Sequence, residues 1–564
     1  MLTRMVAAVT PSGMMADMTA TVTDLFATHE ELLTGALRAI TERGYWSAYP
    51  ESPSPKVYGE TAAADGKAAF EALLGKDFPL DQPAQDRVAP EQSPFGVALG
   101  VRYPRTGVDA LIAAATAALP SWRDAGPRVR AGVCLEILAR LHKRVFELAN
   151  AVHATTGQPY VMAFQAGGPH ALDRALEAVA YGYAEQTRQV SSVVWTKKAD
   201  TLAKTYHVVP RGIGLVIGCN TFPTWNSWPG LFASLVTGNP VLVKPHPGAV
   251  LPLAITVQVA REVLAEAGLD PNTVQLAVDT RDNPVAAELA LRPEVRIIDF
   301  TGSTAFGDWL EDNARQAQVY TEKAGVNTVI VDSTGDFAGM CRNLAFSLTL
   351  YSGQMCTTPQ NLLIPAAGIE TEAGHKSFDE VVAGVADAVR AITGDAAKAV
   401  ELTGAIVNDA VLERMDGARK LGDVVLDSTE LAHPAYPGAV CRTPMIVTAT
   451  DGYAAECFGP VTFAVPTAST RASIEVFRQT VGAKGALTAA VYSTDEAVLD
   501  AVEQASLEVG VHLSANLTGG VFVNQSAAFS DFHASGANAA ANAALTDGAF
   551  VASRFRTVQS RRPA

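Results

Sequence analysis

The run Tyr351-Ser352-Gly353-Gln354-Met355-Cys356-Thr357-Thr358 places a thiol shortly after a glycine. A cysteine nucleophile needs a partly exposed, electropositive turn or helix start, where backbone N–H groups lower its pKa and later hold an oxyanion. Gly353 permits such a turn. A lone cysteine is more often a small buried hydrophobe, so what accompanies Cys356 has to decide. Glu322 lies 34 residues upstream in Tyr320-Thr321-Glu322-Lys323, at the start of an apolar strand pattern, where an acid alone would be a solvated edge residue. A third segment, Asp299 to Gly307, runs from a buried-strand pattern into a turn of Gly302, Ser303 and Thr304 and then a helix, a cradle for a pyrophosphate. Neither a Walker motif nor a strict G-x-G-x-x-G accompanies it.

Taken in order, these pieces resemble the aldehyde dehydrogenase superfamily over about residues 95 to 560. Arg211 to Pro223 (RGIGLVIGCNTFP) is similar to the family's strand leading into its oxyanion segment, and Leu242-Val243-Lys244-Pro245 to its cofactor-ribose strand. Phe300 to Gly307 resembles the phosphate turn, and Glu456-Cys457-Phe458-Gly459-Pro460 matches the family's Glu-x-Phe-Gly-Pro. The resemblance implies Cys356 as nucleophile, Glu322 as general base and Asn220 as oxyanion donor. It implies a cofactor held by Lys244, His246, Gly302, Ser303, Glu456 and Phe458. Finer marks resemble the phenylacetic acid degradation (PaaN-type) branch: Cys219 to Pro229 (CNTFPTWNSWP), the long N-terminal extension, and Asp531 to Asn538 (DFHASGAN). That likeness implies a semialdehyde from aromatic ring cleavage, free or linked to coenzyme A.

Two departures from the family pattern carry consequences. The segment reads Asn-Thr-Phe-Pro instead of Asn-Phe-Pro, so Asn220, Thr221 and Asn226 all compete for the oxyanion role, with Asn220 favoured. After Lys244-Pro245 stand His246 and Pro247 where the family commonly has Ser and Glu. Without that Glu a 2′-phosphate is not repelled, and Lys244 with His246 would attract one, so NADP is favoured over NAD. Three rivals follow: a coenzyme A-acylating dehydrogenase, disfavoured by Glu322; a cofactor-independent cysteine hydrolase using one of the ten histidines; and a non-enzymatic scaffold.

Positioning such groups takes a large fold, and the chain has 564 residues, of which 48% are hydrophobic and only 18% charged. Wholesale disorder and a small binding module are excluded. The net charge of −15 offers nothing global to nucleic acid or anionic lipid. Six scattered cysteines with no C-x-x-C pair fit neither a disulfide framework nor a zinc site, which points to reduced thiols, no metal and a cytoplasmic protein. The longest apolar stretch, Leu231 to Val243, is broken by Gly238, Asn239 and Pro240, so no membrane span is expected.

Helical periodicity appears over Leu25 to Ile40, with Gly44 as a stop, then over Val108 to Leu119, Val129 to Leu148 and Leu172 to Tyr183. The first 20 residues are expected to fray. Gln189 to Lys204 reads as a hairpin. Strand, turn and helix then alternate through Gly214 to Ile217, Pro240 to Val243, Val274 to Val278, Val295 to Phe300 and Val326 to Val331, with a helix over Pro252 to Ala267. This pattern predicts an α/β fold with a doubly wound parallel sheet. With the family likeness it divides into an N-terminal extension (1–90), a cofactor-binding domain (91–187 and 208–320), a catalytic α/β domain (321–535) and oligomerisation strands (188–207 and 545–564). A homodimer or homotetramer is expected, with no fused hydratase partner.

Overall fold

The computed structural model describes residues 25–198, 200–323 and 325–564; the expectation of a frayed start falls outside them. The N-terminal extension opens on helix α1 (Glu30–Glu42), which buries Leu33, Ala36 and Ala39 along one face. It ends one residue before the expected glycine stop, because Arg43 itself takes the left-handed conformation at φ 55°. That geometry turns the Arg43 guanidinium onto Glu177 at 2.9 Å and over the Phe532 ring. Leu33, Phe70 and Phe78 of the extension share one apolar core with Leu172, Leu176 and Val179 of helix α2 (Pro169–Thr187), so the extension is built into the body.

Asp173 on α2 fastens the extension further by accepting from Ser47 Oγ at 2.6 Å and the Ala48 N–H at 2.9 Å. Burial pushes its carboxyl up to about 7, against the opposing pull of those two hydrogen bonds. A folded-state pKa above the unfolded value of about 4 stabilises the fold at low pH, a contribution lost as pH rises through about 7. The expected result is a thermal midpoint that falls between about pH 4 and pH 7, with a shallower fall in Asp173→Asn, read by calorimetry.

Three sheets frame the site, beside smaller two- and three-stranded ones. The hairpin expected near residue 190 is present as β1 (Ser192–Lys197) and β2 (Asp200–Pro210), antiparallel and largely exposed. Next come five parallel strands, β3 (Ile213–Ile217), β4 (Val241–Lys244), β5 (Val274–Leu276), β6 (Val295–Gly302) and β7 (Gln318–Lys323), in spatial order β5-β4-β3-β6-β7. The first three are buried throughout and rich in Val, Ile and Leu, and β6 is buried over Ile297 to Phe300, as a doubly covered parallel sheet requires. The order reverses between β3 and β6, which opens a crevice at their carboxyl ends.

A second sheet holds seven strands: β8 (Thr328–Val331), β9 (Asn361–Pro365), β10 (Gly422–Leu426), β11 (Met445–Ala449), β12 (Val461–Thr467), β13 (Thr488–Tyr492) and β14 (His512–Ala515). Their order is β10-β11-β12-β9-β8-β13-β14, parallel except for β10. Finally β15 (Phe555–Pro563) returns to pair with Leu202 to Pro210 of β2, completing an antiparallel sheet β15-β2-β1. Just before β15, the fully buried Arg554 makes a two-pronged ion pair with Asp299 of β6, at 2.6 and 2.7 Å. The single helix expected over Val129 to Leu148 is two, Gly126–Lys143 and Val145–Thr156, separated at Arg144. Among the described residues no helix is long and apolar enough to cross a membrane.

Candidate active site

Cys356 sits just beyond a tight turn, Leu350–Gly353, in which Tyr351, Ser352 and Gly353 all have positive φ (51°, 49° and 62°). Two non-glycine residues in that region are strained, and buried hydrogen bonds hold them there. Tyr351 Oη donates to the Thr156 carbonyl at 2.5 Å, Ser352 Oγ to the Arg442 carbonyl at 2.9 Å, and Gln354 Nε2 to the Ala405 carbonyl at 3.0 Å. Gly353 is required twice over, since a Cβ there would also lie 2.5 Å from the Gly459 carbonyl oxygen. Asn327 Nδ2 donates to the carbonyls of Cys356 and Thr358, fixing the chain on the far side of the thiol.

Glu322 ends β7 and is only 2% exposed. Both of its oxygens are engaged: Oε1 lies 3.1 Å from His533 Nε2, and Oε2 accepts from Asn226 Nδ2 at 2.9 Å. The same His533 Nε2 is 3.8 Å from Cys356 Sγ, and the three acid–base atoms all lie within 4.8 Å of one another. Burial pushes Glu322 up, but the charge and hydrogen bond of His533, with further bonds from Cys356 and Asn226, outweigh it and hold the carboxyl below its usual range. Burial first and the Glu322 charge second drive the Cys356 thiol well above its ordinary value.

Cys356 stands between two openings. On one side is a cavity of about 830 Å³ whose wall includes Trp46, Phe222, Trp225, Phe346, Phe522 and His533. On the other, Cys356 lines a narrow cleft together with Glu456 and Phe458. Gln360 shapes the Glu456 loop, its Oε1 accepting from the Cys457 N–H at 2.7 Å and its Nε2 donating to the carbonyls of Tyr453 and Ala455. Gly302 and Ser303 close β6, and Ser303 caps the following helix, Thr304–Asn313, its Oγ accepting from the Phe306 N–H. The first turn of that helix faces solvent, as a phosphate cradle demands.

The remaining residues proposed from sequence are placed differently from one another. Trp225 lines the cavity, edge-on to His533 at 4.4 Å, whereas Trp228 is core, its indole N–H bonded to Thr256. Thr221 Oγ1 turns toward Cys219 Sγ, and Asn220 points its amide oxygen at Gly248 beside His246, where it is buried without a partner. The asparagine brought to Glu322, and to the cavity that Cys356 lines, is Asn226. The charge argument for NADP is not met by the geometry. Lys244 Nζ is paired with buried Asp279 at 2.8 Å, and His246, which accepts from the Gly248 N–H, is pushed down to about 4 by burial, Lys244 and Arg281, so it is neutral at pH 7. His533 carried no signal of its own in the sequence beyond its place in Asp531 to Asn538, far from both of its partners.

A parallel crevice with a capped phosphate turn, beside a thiol and a carboxylate, is the architecture of a nucleotide-dependent enzyme. The chain belongs to the aldehyde dehydrogenase family, whose model matches residues 100–547. It is similar to a crystal structure of an NAD-dependent aldehyde dehydrogenase from Burkholderia multivorans, with 57% identity and a TM-score of 0.94 over 96% of this chain and 99% of that one. Among curated relatives it is 28% identical to the 1-pyrroline-5-carboxylate dehydrogenase of Bacillus subtilis, over 59% of this chain and 64% of that protein. It is 30% identical to the N-succinylglutamate 5-semialdehyde dehydrogenase of Chromobacterium violaceum, over 63% of this chain and 70% of that protein.

Proposed function

We propose that this chain oxidises an aldehyde to its carboxylic acid with NAD(P), through a thiohemiacetal and then a thioester on Cys356. The observation that carries this reading is the position of Cys356, facing the 830 Å³ cavity on one side and the Glu456–Phe458 cleft on the other. The residues present fit the cofactor: the crevice between β3 and β6, the open helix start after Ser303, the unpartnered Asn220 amide oxygen and the Glu456 loop offer polar groups where a dinucleotide needs them. When bound, it supplies the hydride acceptor. Cys356 attacks the aldehyde carbonyl, and its own backbone N–H with Asn226 Nδ2 holds the oxyanion, the place first given to Asn220. Glu322 then deprotonates the water that hydrolyses the thioester. A carboxylate at that position supports hydrolysis over transfer to coenzyme A.

The substrate follows from the walls. The rings of Tyr45, Trp46, Phe222, Trp225, Phe346 and Phe522 favour an aldehyde with a bulky apolar body, in line with the PaaN-type marks and aromatic catabolism. Glu51, Asp173, Glu401 and Asp531 in the same lining oppose the polyphosphate of a coenzyme A-linked substrate. With Lys244 already paired and His246 neutral, the favoured cofactor is NAD. The subunit assembles through β15-β2-β1, whose free edges and exposed Val193, Val194 and Trp195 suit pairing with a second copy. The test is reduced-cofactor formation with NAD against NADP, across a short aliphatic aldehyde, an aromatic aldehyde, an amino-acid semialdehyde and a coenzyme A-linked semialdehyde. The expected result is the highest kcat/KM for the aromatic aldehyde with NAD; the same ranking headed by the short or amino-acid aldehyde overturns the substrate assignment.

A further inference from the structure

We propose that the N-terminal extension is a substrate-recognition element, and that Trp46, with Tyr45 beside it, determines which aldehydes are accepted by packing against the substrate's apolar body. The inference rests on the aldehyde-oxidation reading and deepens it. The match to the family model begins at residue 100, yet Tyr45, Trp46, Ser47 and Glu51 line the same 830 Å³ cavity as Cys356. The proposed nucleophile and base thus belong to the part of the chain shared with the family, while one wall of the cavity comes from a segment outside it.

That wall is pinned on both sides. Arg43 turns the chain off α1 in the left-handed conformation and is held by Glu177 at 2.9 Å and by Tyr181 Oη at 3.1 Å. Beyond it, Ser47 Oγ and the Ala48 N–H are fastened to Asp173. Trp46 lies between these anchors. Its ring stands edge-on to Phe529 with centroids 4.7 Å apart, and covers Gly35 so closely that a Cβ there would lie 3.1 Å from it. A ring fixed in this way is a preformed apolar surface, and a substrate that packs on it has little side-chain order to impose.

The volume decides which substrates feel the wall. A two-carbon aldehyde fills only a small part of 830 Å³, whereas an aldehyde with an aromatic body extends along the lining. Trp46 carries no group that bonds to the reacting carbon, so its contact with the substrate body is the same before and at the transition state. Such a contact sets KM and leaves kcat alone.

The test compares Trp46→Ala, Trp46→Phe and Tyr45→Ala with wild type in reduced-cofactor formation from phenylacetaldehyde and from acetaldehyde. Trp46→Ala is expected to raise KM for phenylacetaldehyde about tenfold with kcat unchanged, and to leave KM for acetaldehyde within about twofold. Trp46→Phe keeps a ring against Phe529 and is expected to recover most of the loss. Tyr45 is 76% exposed, so Tyr45→Ala decides the matter if melting curves show that Trp46→Ala does not fold. Its expected effect is a rise of about threefold in KM, confined to phenylacetaldehyde. KM values that move together for the two aldehydes, or that do not move, overturn the proposal, because a loosened extension would act on every aldehyde alike. Binding of phenylacetate, measured by calorimetry without turnover, is expected to weaken about tenfold in Trp46→Ala, and unchanged binding also overturns the proposal. No reduced cofactor from either aldehyde in the wild type, with that binding difference intact, counts against aldehyde oxidation and leaves the wall assigned.

Discussion

Cys356→Ala is expected to abolish reduced-cofactor formation with every aldehyde, a loss of at least ~10⁴-fold in kcat, while the protein still binds NAD or NADP. The reasoning is one of separable roles. In the proposed mechanism Sγ, at the junction of the two openings, forms the covalent bond to the substrate. The groups assigned to the cofactor stand on other segments: Lys244 on β4, Ser303 after β6, Glu456 on its own loop. A methyl in place of the thiol removes no hydrogen bond that holds the turn, since those run through Tyr351, Ser352, Gln354 and Asn327. Cofactor binding is read by quenching of tryptophan fluorescence, turnover by absorbance of the reduced nicotinamide. Persistent turnover would sink the nucleophile assignment.

The second large effect separates two asparagines. Asn226→Ala is expected to cost about 10²–10³ in kcat, the usual consequence of losing an oxyanion donor. Asn220→Ala is expected to cost less than about tenfold and to act on the KM for cofactor, because its amide faces Gly248 and His246. Steady-state kinetics on the two variants decide between them; the reverse pattern returns the oxyanion role to Asn220. Loss of Asn226 also frees one oxygen of Glu322, so the hydrolytic half-reaction slows along with the first.

What the sequence made legible follows from distance along the chain. Cys356 and Glu322 could be read because each sits in a short motif whose local turn or strand already restricts its surroundings. The parallel sheet could be read because β3, β4 and β6 are built on Val, Ile and Leu and separated by helical stretches. His533 could not, since its partners lie 177 and 211 residues away and only the tertiary fold brings a loop histidine to them. The choice among Asn220, Thr221 and Asn226 stayed open for a related reason: counting residues from β4 cannot say which side chain a helix start turns inward. Most of the second sheet went unread because β9, β11 and β13 are five-residue buried runs, too short for periodicity to separate strand from helix. The NADP argument counted charges one at a time, and Asp279, distant in sequence, cancels the one on Lys244.

The Arg554–Asp299 pair bears on the order in which the molecule is made. β6 leaves the ribosome about half a chain before Arg554 does, and until then Asp299 has no guanidinium to meet it. Tyr320 of β7 likewise awaits the ring of Phe550, and the Thr321 backbone awaits Asn542. The nucleotide half of the enzyme is thus begun before the second sheet and finished after it. During translation it has a buried carboxylate without its counter-charge and a sheet without its final supports, a combination that disfavours premature closure. A nascent chain must therefore carry its first sheet in an unfinished state while the second is built, and commitment to the native arrangement falls to residues translated more than 200 positions later.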